Sequence, residues 1–405
     1  MLVTFTSLFD IYPDKLRKGA VVGFTKPDGS MLEFPCTLDT GDAVMDAKGR
    51  WTASGLGLKP VIAKYTGTLK RMSVRETWIG NGFGENPDAK DPGDNPTLEH
   101  VRFVDGVTEI GKRAFCNYKV LTDITIPDSV MVIGNGAFYG CSALKDITIP
   151  KCVTSIGTGA FGYCTSLTSI TIPDGVMSIE ELAFSNCCKL TSVTIPEGVT
   201  FIGEFAFNSC TALTSITIPE SVTEIGHHAF WNCHSLTSIA IPDGVATIKD
   251  GTFEGCISLT SITLPESITS IGDYAFDECE YLTDVIIPNS VRSIGYRAFR
   301  GCLDLTSVTL PEGITEIGQE TFEECYNLTG VTIPAGVTSI GFKAFCGCRK
   351  LKSVTIPESV TEIGRHAFGN CRRLNVCIDQ PESDLLDKAD LPYGCTVHWK
   401  QSEAD

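Results

Sequence analysis

A repeat of 23 residues constrains this chain more than any other feature of its sequence. Phenylalanine recurs at that interval without insertion or deletion, at Phe115, Phe138, Phe161, Phe184, Phe207, Phe230, Phe253, Phe276, Phe299, Phe322, Phe345 and Phe368. From Cys141 to Cys371, a cysteine follows three residues after each of these phenylalanines. Self-similarity at a fixed period of this size is typical of a solenoid, in which every repeat forms one coil and stacks on its neighbours.

Numbered from its leucine as position 1, each repeat begins with a strand pattern. In one copy, positions 1, 4 and 6 are the apolar residues Leu167, Ile170 and Ile172, and the positions between them are serine or threonine. Alternation of this kind, in residues that favour strands, predicts a short β-strand. Proline at position 7, from Pro127 to Pro357, then ends the strand, because it has no N–H to donate.

The second half of the repeat reads Gly-x-x-Ala-Phe-x-x-Cys and has room for about two helical turns. Its apolar members in the same copy are Ala183, Phe184 and Cys187, at i, i+1 and i+4. This spacing places all three on one side of a helix, so we expect a short α-helix that turns these residues inward. Each coil is then a strand, a corner, a short helix and a return.

The first six positions fit the leucine-rich repeat pattern L-x-x-L-x-L. Over residues 98–374, the longer string x-I-P-x-x-V-T-x-I-G-x-x-A-F-x-x-C closely resembles the BspA-like leucine-rich repeats of bacterial and protist surface proteins. The resemblance implies an α/β solenoid: an arc of about twelve coils of 23 residues with a parallel β-sheet on its concave face. It also implies display at a cell surface or on a virion. The residues before the repeats lie outside the resemblance, and their own patterns predict a small β-rich domain that precedes the solenoid.

The sequence divides into four segments. Residues 1–85 lack the repeat and are expected to form the small β-rich domain, residues 86–97 a linker, residues 98–374 the solenoid and residues 375–405 a C-terminal cap. Within the cap, residues 395–400 read CTVHWK and can supply a last strand over the open end.

Two further patterns within residues 1–85 predict strands. The Pro-Asp-Gly turn in residues 26–30 lies between alternating apolar segments and predicts a β-hairpin. Residues 61–65 and 72–74 favour further strands.

The net charge of −17 argues against a nucleic-acid partner, which would require a basic stripe. Much of this charge stands at position 8, in Asp128, Asp174, Glu197, Glu220, Asp243, Glu266, Glu312 and Glu358. Such a ridge is most simply a solvated edge that keeps the protein soluble.

Eleven of the 18 cysteines occupy the inward position of the repeat, where a free thiol behaves as a small apolar side chain. We therefore expect reduced cysteines, which suit a cytoplasmic compartment. The first residues show no basic segment followed by a long apolar run, so no secretory signal is expected there. No apolar stretch is long enough to predict a transmembrane helix. Cysteine usage thus favours the cytoplasm, whereas the resemblance implies display, and the compartment stays open.

Motifs of catalysis and cofactor binding are absent from the sequence: there is no Gly-x-Ser-x-Gly, no His-Glu-x-x-His and no phosphate-binding loop. We expect no enzyme activity, no cofactor and no bound metal. One histidine-rich stretch deserves comparison with a metal site. On the predicted helix, His227, Trp231 and His234 share one side at i, i+4 and i+7. Imidazoles so placed can bind zinc, but these outward positions vary freely between repeats, which favours a contact patch or plain surface.

Candidate binding residues come from the same outward positions. Tyr274 and Tyr296 are aromatic side chains on the predicted outer side, and such residues are typical of contact surfaces. Arg372 and Arg373 belong to a basic patch on the last coils, which can meet an acidic partner or the acidic ridge of another copy. Threonine and serine on the concave strand can hydrogen-bond a glycan or a protein edge, or simply favour a strand.

Three functions remain open from the sequence. The first is non-enzymatic binding of a protein or glycan in adhesion or recognition. The second is a structural scaffold in a cell-surface or virion assembly, docked through the N-terminal domain and able to self-associate. The third is an enzyme whose site lies in residues 1–85.

Overall fold

The computed structural model describes residues 2–5, 21–25, 31–35, 76–79, 100–103, 107–372, 374–387, 389 and 391–400. The chain forms two compact units, Met1–Pro196 and Glu197–Asp405. The predicted linker 86–97, the predicted strands at 61–65 and 72–74 and most of the predicted N-terminal domain lie outside the described residues.

The first unit contains the start of the repeats. Its strands are β1 (Leu2–Phe5), β2 (Val21–Thr25), β3 (Met31–Pro35), β4 (Glu76–Ile79), β5 (His100–Phe103), β6 (Glu109–Ile110), β7 (Asp123–Ile124), β8 (Val132–Ile133), β9 (Ser155–Ile156), β10 (Ser169–Thr171), β11 (Ser178–Ile179) and β12 (Ser192–Thr194). Strand β2 pairs antiparallel with β3, with Thr25 opposite Met31, which confirms the predicted hairpin. Strand β4 pairs in parallel with β5, and β5 with β7, so one strand before the repeats extends the ladder of first strands.

The second unit contains the later repeats and the residues that follow them. Its strands are β13 (Phe201–Ile202), β14 (Glu224–Ile225), β15 (Ser238–Ala240), β16 (Thr247–Ile248), β17 (Ser261–Thr263), β18 (Ser270–Ile271), β19 (Asp284–Ile286), β20 (Ser293–Ile294), β21 (Ser307–Thr309), β22 (Glu316–Ile317), β23 (Gly330–Thr332), β24 (Ser339–Ile340), β25 (Ser353–Ile356), β26 (Glu362–Ile363), β27 (Asn375–Ile378) and β28 (Thr396–Trp399). Within the described residues, the helical content is a single 3-10 turn at Asp384–Leu386.

Both units are β-solenoids of parallel strands, as the repeat predicts. The strand at positions 3–5 pairs with its equivalent in the next coil, so that Ser238 lies opposite Ser261 and Ile239 opposite Ile262. A second, shorter strand at positions 12–13 forms its own parallel ladder, with Thr247 opposite Ser270. The sequence analysis missed this second strand, because two residues are too few to show an alternating pattern.

The α-helix predicted for the Gly-x-x-Ala-Phe-x-x-Cys segment is wrong: the segment is a series of tight turns. The residues at positions 16 and 20 are left-handed, for example Tyr274 (φ 56°) and Glu278 (φ 58°), and an α-helix has no such residues. The N–H groups at positions 16, 18 and 20 donate to carbonyls of the next coil, as in Phe276 N–H to Ala298 O at 2.8 Å.

Coil spacing explains the difference. An α-helix with side chains is about 10–12 Å wide, about twice the spacing of paired strands. In this segment the stacked phenylalanine rings lie 5.1–5.6 Å apart between coils, centroid to centroid. A helix in every coil would force the coils apart here and break the hydrogen bonds between them.

A column of phenylalanine rings lies at the centre of each unit. Phe253 is completely buried, and its ring stacks on those of Phe230 and Phe276 at 5.6 and 5.5 Å with interplanar angles of 4° and 11°. The leucines, isoleucines and valines of the repeat surround this column and are also buried. The apolar positions of the repeat therefore form the core, as predicted.

Cysteine at position 21 is a hydrogen-bond donor between coils as well as an apolar filler. The thiol of Cys256 donates to the carbonyl of Phe230 at 3.2 Å, and Cys279 repeats this bond to Phe253. All cysteines in the described residues are free thiols. Burial raises the pKa of the Cys256 thiol, so it stays protonated and able to donate.

Hydroxyl groups at fixed positions of the repeat also join neighbouring coils. Thr260 at position 2 donates to the carbonyl of Thr237 at 3.1 Å, and Thr283 donates to Thr260 in turn. At position 9, Ser267 donates to the carbonyl of Val245 at 2.7 Å. Other repeats have glycine at position 9, as at Gly244, where an added Cβ would lie 2.9 Å from the Val222 carbonyl oxygen of the preceding coil.

The end of the second unit is covered by the residues that follow the last repeat. Strand β28 pairs in parallel with β27, with Asn375 opposite Thr396 and Val376 opposite Val397. This confirms the strand predicted at 395–400. The 3-10 turn at Asp384–Leu386 contacts β26, and Ala389 beyond it is completely buried.

Candidate binding surface

The side chains that vary between repeats lie on the tight turns. We call the surface made by positions 15, 16, 19 and 20 the turn face. Positions 17, 18 and 21 alternate with them and point into the core, as Ala229, Phe230 and Cys233 do. Because positions equivalent by repeat are adjacent in space, columns of side chains run along this face from one coil to the next.

One cluster on the turn face of the second unit is aromatic. The His228 ring stacks on Phe205 at 5.0 Å with an interplanar angle of 6°, and Trp231 packs edge-on against both rings at 5.7 and 6.1 Å. On its other side, His228 faces Gly251, where an added Cβ would lie 2.0 Å from Nδ1. Gly251 also has a φ of 58°, so both space and backbone favour glycine there.

Acidic groups border this cluster. The Glu254 carboxylate lies 3.6 Å from His228 Nδ1, a buried atom that has no hydrogen-bond partner in the described structure. Burial, with the neighbouring Asp277 and Glu278, raises the pKa of Glu254 to about 7. Burial, with the neighbouring His227, lowers the pKa of His228. At neutral pH the imidazole is thus uncharged and the carboxyl is partly protonated.

A second cluster lies farther along the same unit. The rings of Tyr274 and Tyr296 meet edge-to-face at 5.1 Å, and the Arg297 guanidinium lies 4.9 Å from the Tyr296 ring centroid. Arg297 Nε and the Tyr296 hydroxyl both donate to the buried carboxylate of Glu320. Although burial opposes it, the hydrogen bond from Arg297 lowers the pKa of Glu320. This cluster is held in one geometry by its own hydrogen bonds.

Ion pairs connect the coils at position 19. Arg300 donates to Asp277 at 3.1 Å and lies 3.8 Å from Glu323, which in turn accepts from Lys343 at 2.8 Å. Burial raises the pKa of Asp277 to about 6, even though Arg300 counteracts it. Charges on this part of the turn face are therefore mostly paired with each other.

A groove of about 800 Å³ lies at the C-terminal end of the turn face. Its walls are the turns of the last three coils and the segment Leu391–Tyr393. The Arg349 guanidinium covers the Tyr326 ring at 3.9 Å, and the Tyr326 hydroxyl donates to Glu324 at 3.2 Å. This volume is within the range of ligand-binding pockets.

The strand side offers less to a ligand than its composition indicates. The threonine hydroxyls at position 2 donate to carbonyls of neighbouring coils, and those at position 11 do the same, as Thr269 does to Ala246 at 3.1 Å. Their donor capacity is used within the solenoid. The threonines at positions 2 and 11 are thus explained by inter-coil hydrogen bonds.

The predicted site residues are placed as follows. Trp231 belongs to the aromatic cluster, and Tyr274 and Tyr296 belong to the second cluster. Without the predicted helix, His227, Trp231 and His234 do not form the expected helical face: His227 lies 3.4 Å from Asp250 and His234 is exposed. Arg372 lines the groove, and Arg373 lies outside the described residues.

Sequence reasoning missed His228, Arg297 and Glu320 as members of these clusters. The signal was available in the repeat itself. Phe205 and His228 both occupy position 16, and the fixed period places equal positions of successive coils in contact. Among the described residues, no group of three or more side chains suited to a metal ion and no helix able to cross a membrane is found.

Comparison with known proteins agrees with this architecture. The family model described as "BspA type Leucine rich repeat region" matches residues 94–210, 178–280 and 246–375. A leucine-rich repeat protein from Bacteroides ovatus has 29% identity and a TM-score of 0.56, over 73% of this chain and 88% of that chain. No curated protein matches the chain.

Two further solved structures are similar to this chain. A leucine-rich cell surface protein from Faecalibacterium prausnitzii has 36% identity and a TM-score of 0.49, over 73% of this chain and 84% of that chain. A leucine-rich repeat protein from Eubacterium ventriosum has 21% identity and a TM-score of 0.52, over 82% of this chain and 94% of that chain. Since the matches to the family model together cover residues 94–375, the chain belongs to the BspA-type leucine-rich repeat family.

Proposed function

We propose that this protein binds a macromolecule, a protein or a glycan, without catalysis, and that the turn face of its second unit makes the contact. The observation that carries the proposal is the position of the aromatic side chains. Trp231, Tyr274 and Tyr296 are only partly buried, and they stand on the face where the repeat varies. Binding sites concentrate their energy in such residues.

Two properties of the turn face support a role in recognition. The side chains of its second cluster are held by hydrogen bonds to Glu320, so that little conformational entropy is lost when a partner binds. On the strand side, by contrast, the threonine hydroxyls at positions 2 and 11 donate within the solenoid. Leucine-rich repeats of this family are typical of proteins that bind other proteins, and a role in adhesion or surface recognition is the corresponding proposal for this chain.

The test begins with the full-length protein on arrays of immobilised proteins and glycans. Each ligand found is then titrated with a variant that carries Trp231→Ala, Tyr274→Ala and Tyr296→Ala together. We expect its affinity to fall at least tenfold, because aromatic contacts of this kind commonly contribute about 2 kcal/mol or more each. A melting curve shows that the variant is folded.

The matched control replaces tyrosines away from these clusters, Tyr163→Ala with Tyr281→Ala, both of which are exposed. Its affinity for the same ligand should equal that of the unmodified protein. Full binding by the triple variant would contradict the proposal. Binding that depends only on residues 1–85 would instead favour a scaffold docked through that segment.

A further inference from the structure

The groove at the end of the second unit combines positive charge with an open backbone donor. The side chains that matter for its chemistry are Tyr326, Arg349, Arg372, Asn370 and Tyr393. Arg349, Arg372 and Asn370 are exposed, and Tyr393 is fully exposed. Every one of these residues belongs to the last three coils or to the segment that follows them.

The acidic side chains of the groove accept hydrogen bonds within it, whereas two of its cations have no carboxylate partner among the described residues. Glu323 accepts from Lys343 at 2.8 Å, and Glu324 accepts from the Tyr326 hydroxyl at 3.2 Å. No carboxylate of the described residues pairs with Arg349 or Arg372. The Arg349 guanidinium lies over the Tyr326 ring, 3.9 Å from its centroid, and this contact restrains a group suited to a two-pronged contact with a carboxylate.

The backbone donor comes from the end of the coil ladder. At position 20 of the second unit, the N–H groups before the last coil donate to a carbonyl of the next coil: Gly301 to Glu323 at 2.8 Å, Glu324 to Cys346 at 2.7 Å and Gly347 to Gly369 at 2.7 Å. Asn370 is the last member of this series, and no described residue accepts its N–H. It therefore offers a donor whose direction already suits a main-chain carbonyl.

We propose that this groove binds an extended acidic segment of a partner protein. Its carboxylates pair with Arg349 and Arg372, one of its main-chain carbonyls accepts from the Asn370 N–H, and its remaining surface lies against Tyr393. A sugar is a poorer match, because Arg349 covers the Tyr326 ring on which a pyranose would stack. This inference rests on the proposed function, since it places one site of partner binding next to the turn face, at its C-terminal end.

Fluorescence anisotropy with the full-length protein tests the groove directly. The probe is a fluorescein-labelled peptide of alternating glutamate and alanine, and the reference probe has glutamine in place of glutamate. We expect Arg349→Gln and Arg372→Gln each to weaken binding of the acidic peptide about tenfold, which corresponds to about 1.4 kcal/mol. The affinity of the Arg349→Lys variant should lie between those of the unmodified protein and Arg349→Gln, because lysine keeps the charge and loses the two-pronged contact.

The Arg349→Gln, Arg372→Gln double variant has a matched control that removes two positive charges elsewhere in the second unit, by Arg292→Gln with Lys352→Gln, both exposed. This variant should bind the acidic peptide as the unmodified protein does. Equal weakening by the control would overturn the proposal in favour of general electrostatic attraction. So would equal binding of the glutamine peptide.

Two further measurements decide the class of ligand. Tighter binding of oligogalacturonate than of the acidic peptide would overturn the proposal and identify an acidic glycan as the ligand. Self-association in sedimentation that is lost in the Arg349→Gln, Arg372→Gln double variant would overturn the proposal and identify a second copy of this chain as the partner. If the peptide fails but an array ligand still requires Trp231, Tyr274 and Tyr296, the groove inference alone is wrong and the proposed function stands.

Discussion

Replacement of Phe253 by alanine tests the central column of rings, on which the account of the fold depends. Phe253 is completely buried between Phe230 and Phe276, with ring centroids 5.6 and 5.5 Å away. The change removes the whole ring and leaves a cavity bounded by two flat faces. All three residues lie within the second unit.

The expected loss in free energy of unfolding is at the upper end of the range for such changes, about 5 kcal/mol, because phenylalanine-to-alanine replacements in cores cost about 3–5 kcal/mol. The upper end applies since the backbone cannot collapse into the cavity. Phe253 N–H donates to Ala275 O at 2.9 Å, and Phe230 N–H donates to Thr252 O at 3.0 Å. These bonds hold the neighbouring coils at their spacing.

Urea unfolding, followed by circular dichroism and by tryptophan fluorescence, measures this loss. Because each coil contacts mainly its neighbours, a weakened coil in a repeat array can melt before the rest. Trp231 lies one coil away and adds a local signal to the global one. For Phe253→Ala, we expect the fluorescence change to occur at a lower urea concentration than the change in circular dichroism. Both midpoints should be lower than those of the unmodified protein.

Two variants serve as controls. Phe253→Leu keeps an apolar side chain but loses the stacking contacts, which are worth about 0.5–1.5 kcal/mol each, so its loss should be intermediate. Ser261→Ala changes an exposed residue and should stay within about 0.5 kcal/mol. A Phe253→Ala variant as stable as Ser261→Ala would refute the ring column as the source of stability.

Three further expectations follow from the described contacts. The eleven cysteines at position 21 should all react with a thiol reagent in denaturant without reductant, and Cys256 should be unreactive in the native protein; recovery of few thiols would overturn the reduced core. The pKa of Glu254 is raised from 4.5 to about 7, so the folded state holds this proton more tightly than the unfolded state, and the resulting stabilisation is lost as pH rises through that window. In the Glu254→Gln variant, the melting temperature should therefore depend less on pH between about pH 5 and 7. An unchanged pH dependence would contradict the shift. Arg297→Met leaves the buried carboxylate of Glu320 without its cation and should destabilise by about 1–3 kcal/mol, largely restored by adding Glu320→Gln; a double variant as unstable as the single one would show that the ion pair is not the cause.

The groove and the two clusters could be anticipated only in part. Tyr296 follows Tyr274 by 22 residues, one fewer than the length of a repeat, so the period predicts that the two side chains lie close together. Glu320 was not a candidate, because a carboxylate at an outward position reads as solvent-exposed until its buried contacts with Arg297 and Tyr296 are seen. Residues 391–393 have no place in the repeat, so their position beside Arg349 and Arg372 could not be derived from it.

By itself, the sequence determined the period, the inward residues and the parallel register of this protein, because a repeat without insertions brings equal positions of successive coils together. Only the tertiary structure decided the shape of the Gly-x-x-Ala-Phe-x-x-Cys segment. Its local spacing suits a helix, but stacked strands hold the coils about 5 Å apart, too close for one. The same stacking turns cysteine, threonine and serine into donors between coils, as Cys256, Thr260 and Ser267 show. These roles depend on contacts that no single repeat contains.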